Sequence, residues 1–121
     1  MTAKEPFTIS ISDETLADLR SRLARTRWPD QVQGAGWDYG ADLSYLQALV
    51  DYWLHSFDWR KQERFINTFP QFQARVGGLR IHFVHVRGKG PNPLPLLLTN
   101  GWPSSFAELL PIVGPLADPA Q

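Results

Sequence analysis

The spacing of apolar positions changes once along the chain, near residue 70, from a helical period to an alternating one. Over Ser10–Arg27, Leu16, Leu19 and Leu23 form one stripe, Ser12 is placed to cap, and Asp13 and Glu14 suit the positive end of a helix. Trp28-Pro29-Asp30 stops it, because a residue before proline is pushed out of helical geometry. Residues 30–41 form a glycine-rich loop whose Trp37 and Tyr39 imply packing against something. A second helix is predicted from a cap at Asp42 to about His55, with Leu43, Leu46, Leu49, Val50 and Trp53 on one face. A short third helix runs from a cap at Asp58 through Glu63 to Asn67, and Phe69-Pro70 ends it.

Beyond this point the period is two. Phe72–Val76 reads as a strand, Gly77-Gly78 as a tight turn, and Leu79–Val86 as the returning strand, with Leu79, Ile81 and Phe83 on one face and Arg80, His82 and Val84 on the other. Gly88–Pro93 is a loop. Pro95–Thr99 is predicted to be a short apolar strand of the kind buried in a parallel sheet. After Asn100–Pro103 a helix is expected from Ser104 or Ser105, carrying Phe106, Leu109 and Leu110, with Pro111 bending or ending it. A hairpin that feeds an apolar strand and then a helix is how a mixed α/β sheet begins, and Ala117–Gln121 supply no closing strand.

Composition removes several classes of function. Of 121 residues, 43% are hydrophobic and 20% charged, which fits a packed protein and not a disordered tail. Twelve basic residues balance twelve acidic ones, so no domain-wide positive field favours nucleic acid. Arg20, Arg22, Arg25 and Arg27 cluster where cations suit the negative end of the first helix. With no cysteine, disulfides and thiolate metal sites are excluded. Neither a signal peptide within Met1–Ser10 nor a bilayer-spanning run is evident, and a cytoplasmic location is expected. Five tryptophans and seven phenylalanines need a large surface to lie against.

The candidate chemistry is sparse. His82 and His85 point to opposite faces of a strand and cannot share a metal ion, while His55 suits a helix end, so structural roles are expected for all three. Ser104 and Ser105 lack the glycine frame of a nucleophile elbow and have no later histidine, so helix capping accounts for both. Lys89, between Gly88 and Gly90, lacks phosphate-loop spacing. Caps and exposed helix faces explain Asp58 and Glu63. What survives is Thr99-Asn100-Gly101-Trp102-Pro103, a sharp turn between predicted strand and helix. Such a turn can aim a backbone N–H into a cleft at a strand's carboxyl end, where it would stabilise an oxyanion. Read from these residues alone, a plain strand-to-helix turn is the simpler account.

Longer stretches carry a family resemblance. They are Leu19-Arg20-Ser21-Arg22-Leu23 with Thr26-Arg27-Trp28-Pro29, Trp37-Asp38-Tyr39-Gly40, Tyr52-Trp53, Phe57-Asp58-Trp59-Arg60 with Glu63, and Asn67 with Pro70-Gln71-Phe72. Gly78-Leu79, Ile81-His82-Phe83-Val84-His85 and Gly101-Trp102-Pro103 with Ser105-Phe106 complete the set. In order and spacing the chain resembles the N-terminal domain of epoxide hydrolases of the microsomal and juvenile-hormone type, running into the first strands of their α/β-hydrolase domain. The resemblance implies an α/β fold: a helical N-terminal region over 1–70, then over 71–121 the first hairpin, third strand and first helix of an incomplete hydrolase domain.

That family opens epoxides with water to vicinal diols and needs no cofactor. An aspartate attacks an epoxide carbon, cap-domain tyrosines protonate the oxygen, and a histidine oriented by an acid activates the water that hydrolyses the resulting ester. Backbone N–H groups hold the oxyanion of that second step. The resemblance assigns one of them to Trp102, with Asn100, Gly101 and Pro103 shaping the loop. It places nucleophile, tyrosines, acid and histidine beyond residue 121, and Asp118 has no histidine after it to work with. Asn100 stands where the family usually has histidine and Ser104 where it usually has glycine. The Trp102–Pro103 bond is expected to be cis by resemblance.

The family's strand order also implies that Pro95–Thr99 lies roughly 10 Å, about two strand spacings, from the hairpin. It must then mispair or leave backbone groups unpartnered, and exposed apolar patches should drive self-association. The leading expectation is an epoxide-hydrolase fragment, from a truncated or a split enzyme, catalytically incomplete by itself. An interaction module docking on a separately encoded hydrolase body is the alternative. Catalysis by these residues unaided is disfavoured, because no nucleophile and base can be placed together. A small-molecule epoxide is the implied substrate only for the completed enzyme, with no metal and no cofactor.

Overall fold

A computed structural model describes residues 4–118; the expectations for the first three and last three residues, including the end of Ala117–Gln121, lie outside them. The elements run β1 (Lys4–Pro6), α1 (Asp13–Ala24), α2 (Leu43–His55), α3 (Trp59–Ile66), β2 (Gln71–Val76), β3 (Leu79–Val84), a 3-10 helix (Phe106–Leu109) and α4 (Leu110–Ala117). They form two compact units, one of residues 4–9 and 60–118, the other Ser10–Trp59.

In the second unit, local signals set the helix starts. The Ser12 hydroxyl accepts the Thr15 N–H at 3.1 Å and the Asp42 carboxylate accepts the Tyr45 N–H at 2.9 Å, each satisfying a donor that the first helical turn leaves open. The amide of Gln31 stitches the glycine-rich loop to α2: its oxygen accepts from Leu43 N–H at 2.9 Å and its nitrogen donates to the Gly36 carbonyl at 2.8 Å. Trp37 packs on Tyr45 with ring centroids 5.2 Å apart. The stripe Leu16, Leu19 and Leu23 is half-buried as predicted and lines a shallow apolar cleft with Trp53, Phe57 and Trp59. On α2 the predicted face divides. Leu43, Leu46 and Val50 are half-buried, while Leu49 and Trp53 lie exposed beside Tyr45 and Tyr52.

The first unit holds an antiparallel sheet in the order β1-β2-β3. Gly77 and Gly78, at φ +56° and +82°, make the tight turn that joins β2 to β3. Positive φ at both central positions matches the twist of a two-residue hairpin and is cheap only for glycine. Phe72 faces Phe83 across the pair, with ring centroids 5.9 Å apart. The returning strand ends at Val84, two residues before the predicted Val86, although His85 N–H still reaches the Pro70 carbonyl at 3.0 Å. β1 has no counterpart in the sequence reading. Its Pro6 sits on an outer strand, where a missing N–H is tolerated.

Two predictions fail in the segment that follows. Pro95–Thr99 is not a strand and pairs with nothing among the described residues. It neither mispairs nor buries: residues 85–103 are all exposed, with Leu94 at 89% and Leu97 at 86%, so water can satisfy their backbone. A strand of this kind depends on neighbours on both edges, and the described sheet offers it none. Pro111 does not end a helix; it occupies the first turn of α4, where its lost N–H costs nothing and its fixed φ is suitable. Among the described hydrophobic residues only Ile66 and Leu110 are buried, a very small core for so many aromatics.

Candidate functional site

Asn100 to Pro103 lies at the end of the exposed segment and immediately before the 3-10 helix. The Trp102–Pro103 peptide is cis, as the resemblance implied. Trp102 and Pro103 form a turn, closed by the Ser104 N–H donating to the Gly101 carbonyl at 2.9 Å. The Asn100 side-chain amide donates to the Ser104 carbonyl at 3.0 Å and so bridges the loop from the far side. Asparagine therefore performs a local loop-closing role here that needs only an N–H donor. The Trp102 N–H has no acceptor among the described residues, and the residue is 95% exposed. The structure thus brings Asn100, Gly101, Trp102 and Pro103 into one small turn.

The loop is held from its C-terminal side. Ser105 caps the 3-10 helix, its hydroxyl accepting the Ala107 N–H at 3.4 Å, as capping predicted; Ser104 instead turns its hydroxyl to the Ser105 carbonyl at 3.3 Å. Phe106 packs against the ring of His82, with centroids 4.8 Å apart, and Phe7 packs on the same imidazole at 5.1 Å. His82 Nε2 lies 3.0 Å from Gln71 Oε1, while the Gln71 amide nitrogen donates to the Ile66 carbonyl at 3.2 Å and to Asn67 Oδ1 at 2.9 Å. With the nitrogen of Gln71 so engaged, its oxygen must accept, and His82 Nε2 carries the proton. Asn67 completes the chain by exchanging two hydrogen bonds with the backbone of Ile9. Partial burial between two phenyl rings pushes the His82 imidazole below its ordinary value of 6.5.

The sequence reading missed this network. Its visible trace is a buried polar residue, Gln71, 4% exposed and on the same face of the sheet as His82. A polar residue at an inward strand position beside a histidine is the signal that could have found it.

The remaining candidates sit in separate local pairings. His85 lies on the opposite face from His82, its Nδ1 3.0 Å from Lys4 Nζ. His55 lies 3.1 Å from Asp51 at the end of α2. Lys89 pairs with Asp118 at 2.7 Å. Glu63 corrects an expectation: it is not on an exposed face but largely covered, its side chain 12% exposed, and pairs with Arg60 at 2.7 Å. The Ser44 hydroxyl, the Tyr45 N–H and Gln31 hold the Asp42 carboxyl below its ordinary value, which reflects capping and not acid–base chemistry. No group of three or more His, Asp or Glu suited to a metal occurs among the described residues.

The succession of capped helical lead-in, hairpin and turn-helix unit is shared with solved epoxide hydrolases, which places the chain at the start of an α/β-hydrolase fold. A family profile described as epoxide hydrolase N terminus matches residues 4–109, and the chain belongs to that family. It is 40% identical to epoxide hydrolase 1 of Oryctolagus cuniculus, over 94% of this chain but 26% of the relative. It is 35% identical to juvenile hormone epoxide hydrolase 2 of Ctenocephalides felis, over 98% of this chain and 26% of that one. The solved structure of Aspergillus niger epoxide hydrolase superposes with a TM-score of 0.83 at 35% identity, covering 92% of this chain and 30% of that chain. The chain therefore spans about a quarter of the length of the curated relatives it matches. No helix among the described residues is long and apolar enough to cross a membrane.

Proposed function

We propose that this chain supplies the helical N-terminal region and the oxyanion loop of an epoxide hydrolase, and that it needs the rest of such a hydrolase to turn over. In this reading the reaction is addition of water to an epoxide, giving a vicinal diol through an ester on an aspartate. The Trp102 N–H points one hydrogen-bond donor at the oxyanion formed when water attacks that ester. One such donor is worth roughly a hundred- to a thousandfold in rate. Asn100, Gly101 and Pro103 shape the turn that presents it. The boundary near residue 70 marks where the lead-in gives way to the hydrolase body, and the exposed leucines at 94–98 are the surface that body covers. By itself the chain is catalytically incomplete and self-associates through those leucines.

The observation that carries this reading is a backbone donor without an acceptor among the described residues, in a turn closed on both sides by hydrogen bonds, within a chain matched to this family over residues 4–109. A related epoxide hydrolase lacking its own matching segment, mixed with this full chain, tests it. Diol formation appears only in the mixture. Turnover by the chain unaided overturns catalytic incompleteness. Failure with both partners soluble and bound to each other overturns the hydrolase role and leaves a docking module.

A further inference from the structure

The candidate oxyanion loop has two flanks, and only one of them is packed. On the N-terminal side, residues 94–99 are exposed and join no strand among the described residues. On the C-terminal side Ser104 and Phe106 are half-buried and Leu110 is buried at 3% exposure. Only Ser105 separates Ser104, whose N–H closes the turn, from Phe106, whose ring meets His82 at 4.8 Å. His82 itself cannot slide freely. Its Nε2 is tied to Gln71, which is held by Ile66 and Asn67, and its other ring contact is Phe7. An unbroken line of contacts thus runs from the Ile9 backbone through Asn67, Gln71 and His82 to Phe106 and the loop.

We infer that His82 is a positioning residue: its ring, oriented by Gln71, anchors Phe106 and thereby fixes the turn that presents the Trp102 N–H. The inference rests on the oxyanion role proposed above for its meaning, but the positioning itself is a property of this chain and is testable without chemistry. An edge-to-face contact prefers a defined ring separation and tilt, so a locked imidazole transmits its placement to its neighbour. The hydrogen bond sets the plane of the ring, the phenyl rings of Phe7 and Phe106 packed on it keep it in place, and the ring does the holding. Shape at position 82 should therefore matter more to the loop than hydrogen-bonding capacity.

Amide hydrogen exchange on the full chain and its variants separates the two. His82→Gln keeps a donor for Gln71 but loses the ring; His82→Phe keeps the ring but loses the donor. Exchange of the Ser104 and Glu108 amides should rise roughly tenfold in His82→Gln and stay within about twofold of the parent in His82→Phe. The α2 amides should be unchanged in both. Phe106→Leu, which keeps apolar bulk and removes the ring edge, should reproduce the His82→Gln pattern without touching β2 or β3. Equal effects of His82→Gln and His82→Phe would overturn the inference. So would a loss of protection spread evenly over the β2–β3 pair, which would make His82 an ordinary sheet residue. Failure of the diol assay with intact exchange behaviour would sink the oxyanion role and leave the positioning standing.

Discussion

Residues 71–84 and 94–99 are both short, apolar-rich stretches bounded by turn residues, yet only the first is a sheet. The difference is where the partner comes from. β2 finds β3 across a two-residue turn, so little chain entropy is lost before ladder bonds and the Phe72–Phe83 pair repay it. The run at 94–99 meets no strand among the described residues and stays in water with its leucines uncovered. Strand propensity without an edge to join does not make a strand.

The largest effect should come from breaking the advantage of the first region. Replacing both Gly77 and Gly78 by Val forces two β-branched residues to positive φ, at about 1–2 kcal/mol each, or roughly 2–4 kcal/mol together. Urea denaturation followed by β-sheet circular dichroism should show the hairpin lost or its midpoint sharply lowered. An unchanged midpoint would mean that the turn does not set the register.

A smaller loss is expected from the polar network that ties this sheet to the loop. Gln71→Leu leaves the His82 N–H without its acceptor, at about 1–3 kcal/mol. The same network gives a pH dependence. The folded state disfavours protonated His82, so the stability this brings is complete above the ordinary value of 6.5 and lost as pH falls through the lower folded value. Charged groups placed near it by register and chain are Glu5, in the row Glu5–Gln73–His82, Arg80 two residues earlier, and Glu108 on the 3-10 helix. Urea midpoints between about pH 5 and 8 should fall on the acid side in the parent and flatten in His82→Phe. A slope that survives that substitution would assign the effect to another group.

What the sequence disclosed follows the same division between local and distant partners. Ser12 and Asp42 cap helices because the donors they satisfy lie three residues away. Gly77-Gly78 encode their turn, and the opposite facing of His82 and His85 follows from strand alternation. β1 was illegible because Lys4–Pro6 shows no alternation of its own; it is defined by β2, about seventy residues on in the chain. Gln71 looked like an ordinary polar residue until Asn67, Ile66 and His82 closed around it. Proline at 111 reads as a bend or a stop because the sequence does not say whether it falls inside a helix or in its first turn. The turn at 99–103 stands out in the residues themselves and the resemblance supplies its role; what no pattern of residues discloses is that its packing comes from one side only.

The smallest effect on stability should come from the second region, and it is the most informative. Leu96→Asn with Leu97→Asn changes residues that are 64% and 86% exposed, so the urea midpoint should move by no more than about 0.5 kcal/mol equivalent. Sedimentation should show less self-association, because an exposed apolar patch has been removed. In the mixture with the rest of a hydrolase the same two changes should abolish diol formation, since burying polar side chains between strands leaves them without partners. A surface leucine that is merely decorative would leave all three measurements unchanged, and one already contributing to the fold would lower the midpoint first. Only a run kept apolar for a sheet completed by other chain is silent in isolation and essential in the assembly.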